Sequence, residues 1–237
     1  MGILGFEIKS GAAAGDFTPI VKYDARSGRV FRVDRVNTGN GFVSDQVDIT
    51  ATFKAVMDLE NVQTGWIAFP PGAPPSFVLV PLSLDPANQM PIPAKPSDKH
   101  DSGVRITMKL SKACGGEKQI REIAGTAKSF LSGIEELYAD FMRERVKYAG
   151  QLPVVTLAST LPVKSGSGTM SSTNYRPKWR IDGWAPRPVD LVPTQVPLTG
   201  APVEPLPMTA PATGATVVPP NVMKGVPAPQ MADDDFG

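Results

Sequence analysis

The residues of this chain that could do chemistry are aromatic and basic side chains that alternate along short β-like runs. The clearest run covers residues 175–184, where a strand would present Trp179 on one face. The opposite face would carry Lys178, Arg180 and Trp184. A site for single-stranded nucleic acid needs cations along the phosphate backbone and flat rings under the bases, each stacked base contributing about 1–3 kcal/mol. This run therefore predicts a nucleic-acid-binding strand.

Two further runs combine the same types of side chain. Residues 22–35 carry them on a predicted hairpin, and residues 53–66 carry them on a predicted pair of strands. The residues predicted to contact single-stranded DNA are Lys22, Tyr23, Arg29, Phe31, Arg32, Phe53, Lys54, Trp66, Lys178, Trp179 and Arg180. Aromatic and β-branched side chains also fill barrel interiors, and basic strand faces are often only solvated. The pattern of any single strand therefore leaves both roles open.

No catalytic motif accompanies these runs. Residues 166–169 lack the lysine and the following helix that a phosphate-binding loop needs. His100 lies in a polar loop without a candidate nucleophilic serine, and Cys114 has no neighbouring base. One cysteine and one histidine leave no ligand set for a structural zinc ion. We therefore predict no catalytic residue, no metal ligand and no cofactor, and we expect the protein not to be an enzyme.

The elements that would position the predicted contact residues are mostly strands. Period-two patterns and turn residues predict eight strands, at residues 17–24, 29–36, 47–59, 65–69, 77–82, 104–110, 153–163 and 175–184. Residues 85–102 are rich in proline and polar side chains and predict a loop.

One long helix is predicted over residues 117–147, because apolar residues recur there at steps of three and four. Gly125 and Gly133 lower its helix propensity and could divide it. The apolar face suits packing on a sheet, and a coiled-coil seam is the alternative. Strands, a helix and two final strands predict a mainly β fold, an OB-like antiparallel barrel with elaborated early loops.

Composition divides the 237 residues into a globule and a tail. Residues 189–237 are rich in proline, and Phe236 is their only aromatic residue, so they cannot bury enough surface to fold alone. We predict a single-stranded-DNA-binding domain at residues 1–188 and a flexible, proline-rich linker with an acidic tip at residues 189–237. The tail has one lysine and five acidic residues, so the net charge of +1 divides into +5 for the globule and −4 for the tail.

The tip consists of Asp233, Asp234, Asp235 and Phe236, followed by Gly237. A basic, strand-rich globule, a proline-rich linker and an acidic end with an aromatic residue together resemble the single-stranded DNA-binding proteins of bacteria and bacteriophages. The resemblance covers the layout and the tip, and in the globule only the order of elements and the last strand. It departs at Gly237, at the missing proline before the aromatic residue, and in the size of the globule.

The resemblance implies an OB-fold that binds single-stranded DNA with little sequence preference and protects it during replication, recombination and repair. It implies that the four tip residues bind replication and recombination proteins. A virion structural or assembly protein with a β-barrel and a proline-rich arm is the alternative, and a nuclease or hydrolase with a dispersed active site is a second one. The sequence leaves association into a homo-oligomer open.

The chain carries no signal of secretion or membrane insertion. Its first residues lack the positive charge of a secretory signal, and no apolar run approaches the roughly 18 to 20 residues of a membrane span. With a single cysteine, this predicts a protein of the cytoplasm without membrane partners, in a bacterial host if phage-encoded.

Overall fold

The computed structural model describes residues 18–37, 42–71, 73–165 and 171–192, and these form a mainly β structure with one long helix, as predicted. The strands are β1 (Ile20–Asp24), β2 (Arg29–Asn37), β3 (Phe42–Asp48), β4 (Lys54–Met57), β5 (Gln63–Ala68), β6 (Ser76–Pro81), β7 (Asp101–Leu110), β8 (Ile120–Gly125), β9 (Gln151–Ser165) and β10 (Ser172–Pro186). The helices are α1 (Lys112–Gly115) and α2 (Lys128–Glu144), with a 3₁₀ turn at Pro86–Asn88.

The strands join in one sheet whose order is β10-β9-β4-β7-β8-β1-β2-β3, and β5 and β6 extend it beside the first half of β7. Every pair is antiparallel except β1 with β8, which is parallel and departs from the predicted antiparallel arrangement. No ladder joins the two ends of the sheet within the described residues. The turn after β1 instead contacts β10, because the Tyr175 amide donates a 2.6 Å hydrogen bond to the Ala25 carbonyl. The sheet is therefore curled, and the β1–β2 turn reaches its β10 end.

The curled sheet has an inner face, which holds the core and packs against the helix, and an outer face. Inner-face side chains from β1, β7 and β8 include Val21, Ile106 and Ile123, all buried. Helix α2 covers this face with the apolar stripe of Phe130, Ile134, Leu137 and Phe141. Because side chains alternate across a strand, the ladder registers then assign each remaining residue to one of the two faces.

The predicted long helix is wrong in its first third. Residues 120–125 form β8, which pairs with β7 and β1, and α2 begins only at Lys128. The spacing of Ile120 and Ile123 fits a helix, but two neighbouring strands offer this segment a ladder on both sides. Gly125 marks the boundary, because an added Cβ there would lie 2.7 Å from the Phe130 ring.

The predicted strand over residues 47–59 is also wrong, because a turn divides it. β3 ends at Asp48 and β4 begins at Lys54. The Asp48 carboxylate accepts hydrogen bonds from the amide and the hydroxyl of Thr50, at 2.9 and 2.5 Å. Such a bond from an aspartate to the backbone two residues on closes a turn, and here it redirects the chain from the edge of the sheet to its centre.

A short strap after β10 extends the folded part beyond the predicted boundary at residue 188. Leu191 is 1% exposed and packs on Val56, Leu152 and Val154 of the outer face. Arg187 binds the carboxylate of Asp58 with two nitrogens, at 2.6 and 2.8 Å. We call residues 187–192 the strap. The rest of the predicted tail lies outside the described residues.

Candidate nucleic-acid interface

The pleat of the sheet separates most of the predicted cations from the predicted rings. Registers place Lys22, Arg29, Lys54, Lys178 and Arg180 on the outer face. The Arg29, Lys178 and Arg180 side chains are 60%, 52% and 64% exposed. The rings of neighbouring residues point to the inner face, so an outer-face site receives the charges without most of the rings.

Two predicted stacking residues are core residues. Phe53 is 3% exposed and Trp179 is 5% exposed. Their ring centroids are 5.3 Å apart, and both belong to the cluster that α2 covers. Neither ring presents an open face to a base, so the stacking role predicted for Phe53 and Trp179 is corrected to a packing role.

Tyr23 is also turned inward. Its ring stacks on Phe130 at 5.8 Å, and its hydroxyl donates a 2.9 Å hydrogen bond to the Tyr175 carbonyl. Burial, with a smaller contribution from the charge of Asp24, raises the pKa of Tyr23 to about 12. Tyr23 thus ties β1 to β10 and is not available as a base-stacking ring.

A β-bulge places Trp184 on the inner face, whereas regular alternation puts it with Lys178 and Arg180. Ile181 pairs with Val155 and Gly183 with Val154, so Asp182 has no counterpart on β9. One extra residue reverses the alternation that follows it. Trp184 consequently stacks on Tyr148, with ring centroids 4.7 Å apart.

Trp66 is half-buried at the end of the inner face and is already engaged. Its indole nitrogen donates a 2.7 Å hydrogen bond to the Pro93 carbonyl, and the Lys95 ammonium lies 5.7 Å from the ring centroid. The ring therefore anchors the predicted loop, which the structure confirms over residues 85–100 apart from its 3₁₀ turn.

Arg32 holds the fold together, which corrects its predicted phosphate contact. Its guanidinium pairs with Asp34 at 2.9 Å and donates to the Cys114 carbonyl at 3.0 Å. Asp34 also binds Arg121, which is 1% exposed and whose pKa burial lowers. Two arginines thus share one carboxylate beneath α1.

The cations at the β10 end of the outer face are paired with acids. Lys178 lies 3.2 Å from Glu136, and Arg180 binds Asp182. The hydrogen bond from Arg180 lowers the pKa of Asp182. Lys54 lies near this pair and also carries other interactions. A phosphate at this end would compete with carboxylates.

A row of rings and cations crosses the other end of the outer face. Phe31 lies opposite Lys22, and continuing the β1–β8 register by one residue brings Lys22 beside Ala124, whose partner on β7 is Arg105. At about 4.8 Å per strand, Phe31 and Arg105 are roughly 14 Å apart along the row. The Arg105 guanidinium lies 5.0 Å from the Phe77 ring centroid. We call Lys22, Phe31, Phe77 and Arg105, with Arg29 beside them, the outer row.

Arg105 and Phe77 were missed by sequence reasoning. They lie on different strands. The positions between them on β5 and β7 are Gly65 and Gly103, which carry no side chain, so the guanidinium and the ring meet. Glu122 binds the Arg105 side chain, with an oxygen 2.8 Å from Nε, and so holds the guanidinium over the ring. Phe69, 51% exposed, contacts Phe77 edge-on. Only the register of β5, β6 and β7 reveals this grouping.

The four predicted tip residues, Asp233, Asp234, Asp235 and Phe236, lie outside the described residues. Within the described ranges, no three His, Cys, Asp or Glu side chains are grouped as a metal site. In the same part of the chain, no helix has both the length and the apolar character needed to cross a membrane. Comparisons with protein-family models, with curated proteins and with solved structures find no match.

Proposed function

We propose that this protein binds single-stranded DNA with little sequence preference, protects it, and recruits replication, recombination and repair proteins through its acidic tip. The observation that carries the proposal is the outer row. Lys22 lies opposite Phe31, Arg29 is two residues from Phe31 on the same strand, and the Arg105–Phe77 pair begins two strands beyond Lys22. Bases stack on aromatic rings and on guanidinium planes alike, and cations beside them attract the phosphates.

The row suits binding without base selection. Rings and guanidinium planes accept any base because every base has a flat face. Lys22 is exposed and Arg29 is 60% exposed, so both can reach phosphates at little desolvation cost. Two described acids compete with a phosphate here: Asp48, 3.1 Å from Arg29, and Asp24, whose pKa the charge of Lys22 helps to lower.

The finer fold proposed with this function is an OB-like barrel. The contact between the β1–β2 turn and β10 supports it, since Ala25 and Tyr175 join two distant parts of the curled sheet. The proposal also places the protein in the cytoplasm, of a bacterial host if it is phage-encoded, because exposed single strands arise there. Partner recruitment through the tip rests on the sequence pattern alone.

Replacing Phe31 by Ala is expected to weaken binding of labelled oligo-dT by about 1–3 kcal/mol, the range for one lost stack. Replacing Lys22 or Arg29 by Ala is expected to lower the slope of log affinity against log salt by about 0.7 for each lost phosphate contact. Fluorescence anisotropy at a series of salt concentrations measures both quantities.

The matched controls are Leu161→Ala, an exposed apolar residue on β9, and Lys147→Ala, an exposed lysine after α2. Both variants are expected to bind like the parent protein. An affinity for oligo-dT that does not change with salt would overturn the proposal. If the control variants lost as much oligo-dT affinity as the outer-row variants, the outer row would not be the binding site.

Replacing Phe236 by Ala is expected to abolish binding of partner proteins and to leave oligo-dT affinity within twofold, because a buried ring anchors an interface while aspartates steer the approach. Pull-down of replication proteins from host extract, alongside anisotropy, separates the two effects. Retention of every partner by the Phe236→Ala protein would reduce the tip to a solubilising end.

A further inference from the structure

Phe69 is an exposed aromatic residue beside the outer row to which the fold gives no packing role. It directly follows β5 and is 51% exposed. Its ring meets the Phe77 ring edge-on, with centroids 6.5 Å apart and ring planes at 88°. Ile67, two residues earlier and opposite Phe77 in the ladder, is only 1% exposed. Burial is thus available at this end of the sheet, and Phe69 instead presents its ring to solvent.

The chain holds the Phe69 ring in place before any ligand arrives. Pro70 and Pro71 follow it, and a residue that precedes a proline is confined to extended conformations. The Ala73 amide donates a 3.4 Å hydrogen bond to the Pro70 carbonyl, which closes the turn after β5. Phe77, on the other side of the contact, belongs to β6. The angle between the two rings is therefore set by the fold.

We propose that Phe69 is a further base-stacking residue at the end of the outer row, and that it favours strands whose neighbouring bases do not stack on each other. This inference rests on the single-stranded DNA binding proposed above. Bases stack with their flat faces on the ring that holds them. A base on Phe69 is consequently turned by nearly a right angle from a base on Phe77.

The right angle between the two rings defines the kind of strand that fits. In a stacked strand the bases are parallel, and successive nucleotides are about 3.4 Å apart. The centroids of Phe69 and Phe77 are 6.5 Å apart, so neighbouring or next-neighbouring nucleotides would occupy them. Such a strand gives up its own stacking between these two bases. Pyrimidine runs lose less by this than purine runs, so the site favours pyrimidine strands without reading any base edge.

The charges near Phe69 assign bases, and not phosphates, to this end of the outer row. Arg105 is the cation of the row at this end, and Glu122 already binds it. Asp101 lies on the same face, two strands from Phe77, at about 10 Å by strand spacing. The exposed cations of the row lie on β1 and β2, at its other end. Phosphates are therefore expected there.

Fluorescence anisotropy of the full chain with labelled oligo-dT and oligo-dA of equal length tests the proposal. The parent protein is expected to bind oligo-dT more tightly than oligo-dA. Phe69→Ala is expected to weaken oligo-dT binding at least about fivefold, the lower limit for one lost stack, and oligo-dA binding less than about twofold. Phe69→Leu, which keeps an apolar side chain without a flat face, is expected to behave like Phe69→Ala. Ile92→Ala, at a residue 52% exposed, is the matched control and is expected to change neither affinity.

Equal losses of affinity for the two oligonucleotides in Phe69→Ala would overturn the selection of unstacked strands. A Phe69→Leu protein with the parent's affinity for oligo-dT would overturn the stacking role, because the flat face of the ring would then contribute nothing. Loss of self-association in sedimentation velocity, with oligo-dT affinity unchanged, would assign Phe69 to a contact between protein copies and also overturn the proposal. A parent protein that binds neither oligonucleotide would instead remove the DNA binding on which the proposal rests.

Discussion

Trp179→Ala is expected to lower the free energy of unfolding by about 3–5 kcal/mol, the range for a large aromatic side chain removed from a core. Trp179 is 5% exposed, and its ring contacts those of Phe53 and Tyr23 at 5.3 and 6.1 Å. The substitution therefore leaves a cavity at the place where β1, β4 and β10 meet. Urea unfolding followed by circular dichroism measures the change.

Lys178→Ala is the control. Lys178 is the neighbour of Trp179 in the chain, but its side chain is 52% exposed and pairs with Glu136 only at the surface. Its effect on stability is expected to stay below about 1 kcal/mol. A Trp179→Ala protein that keeps its stability but loses oligo-dT affinity would return this ring to the nucleic-acid site.

Arg187→Ala is expected to destabilise the protein by about 3–5 kcal/mol, the cost of leaving a buried carboxylate without its cation. The Asp58 side chain is fully buried, and Arg187 binds it with two nitrogens. Asn61 is the described partner that remains, through its side-chain amide. Urea unfolding measures the loss, and limited proteolysis should show earlier cleavage of the strap.

A double-mutant cycle isolates the pair. Asp58→Asn combined with Arg187→Ala is expected to cost less than the sum of the single substitutions, because the uncompensated charge is gone. Arg143→Ala, which breaks an exposed pair with Asp140, is the control and is expected to cost less than about 1 kcal/mol. Additive effects at Asp58 and Arg187 would contradict the assignment.

Local patterns predicted the positions of most strands. They predicted poorly which face of the sheet a residue lies on once a β-bulge interrupts the strand. β9 and β10 lie where alternation placed them, but a single extra residue at Asp182 moved Trp184 to the core. β8 was assigned to a helix because Ile120 and Ile123 are three residues apart, a spacing that fits a helix, whereas in the strand they lie on opposite faces. Only the ladder with β7, distant in sequence from any local signal, decides between the two.

The candidate site shows the same limit. Alternation within one strand correctly separated Trp179 from Lys178 and Arg180, but it could not tell which face meets the helix. Arg32 looks like a surface cation in sequence and is bound to Asp34 under α1. The Arg105–Phe77 pair depends on three strands in register, and no single run of residues contains it.

The parallel pairing of β1 with β8 and the antiparallel pairing of β4 with β9 both join segments about a hundred residues apart. Such contacts must close long loops before they gain any stability, which slows folding. During synthesis the first hairpins can form early, but the core that holds Val21 and Phe53 is complete only when α2 and β10 have left the ribosome. The edges of β1 and β4 therefore stay open for most of translation, and chaperone contact during this interval would protect the chain from edge-to-edge association.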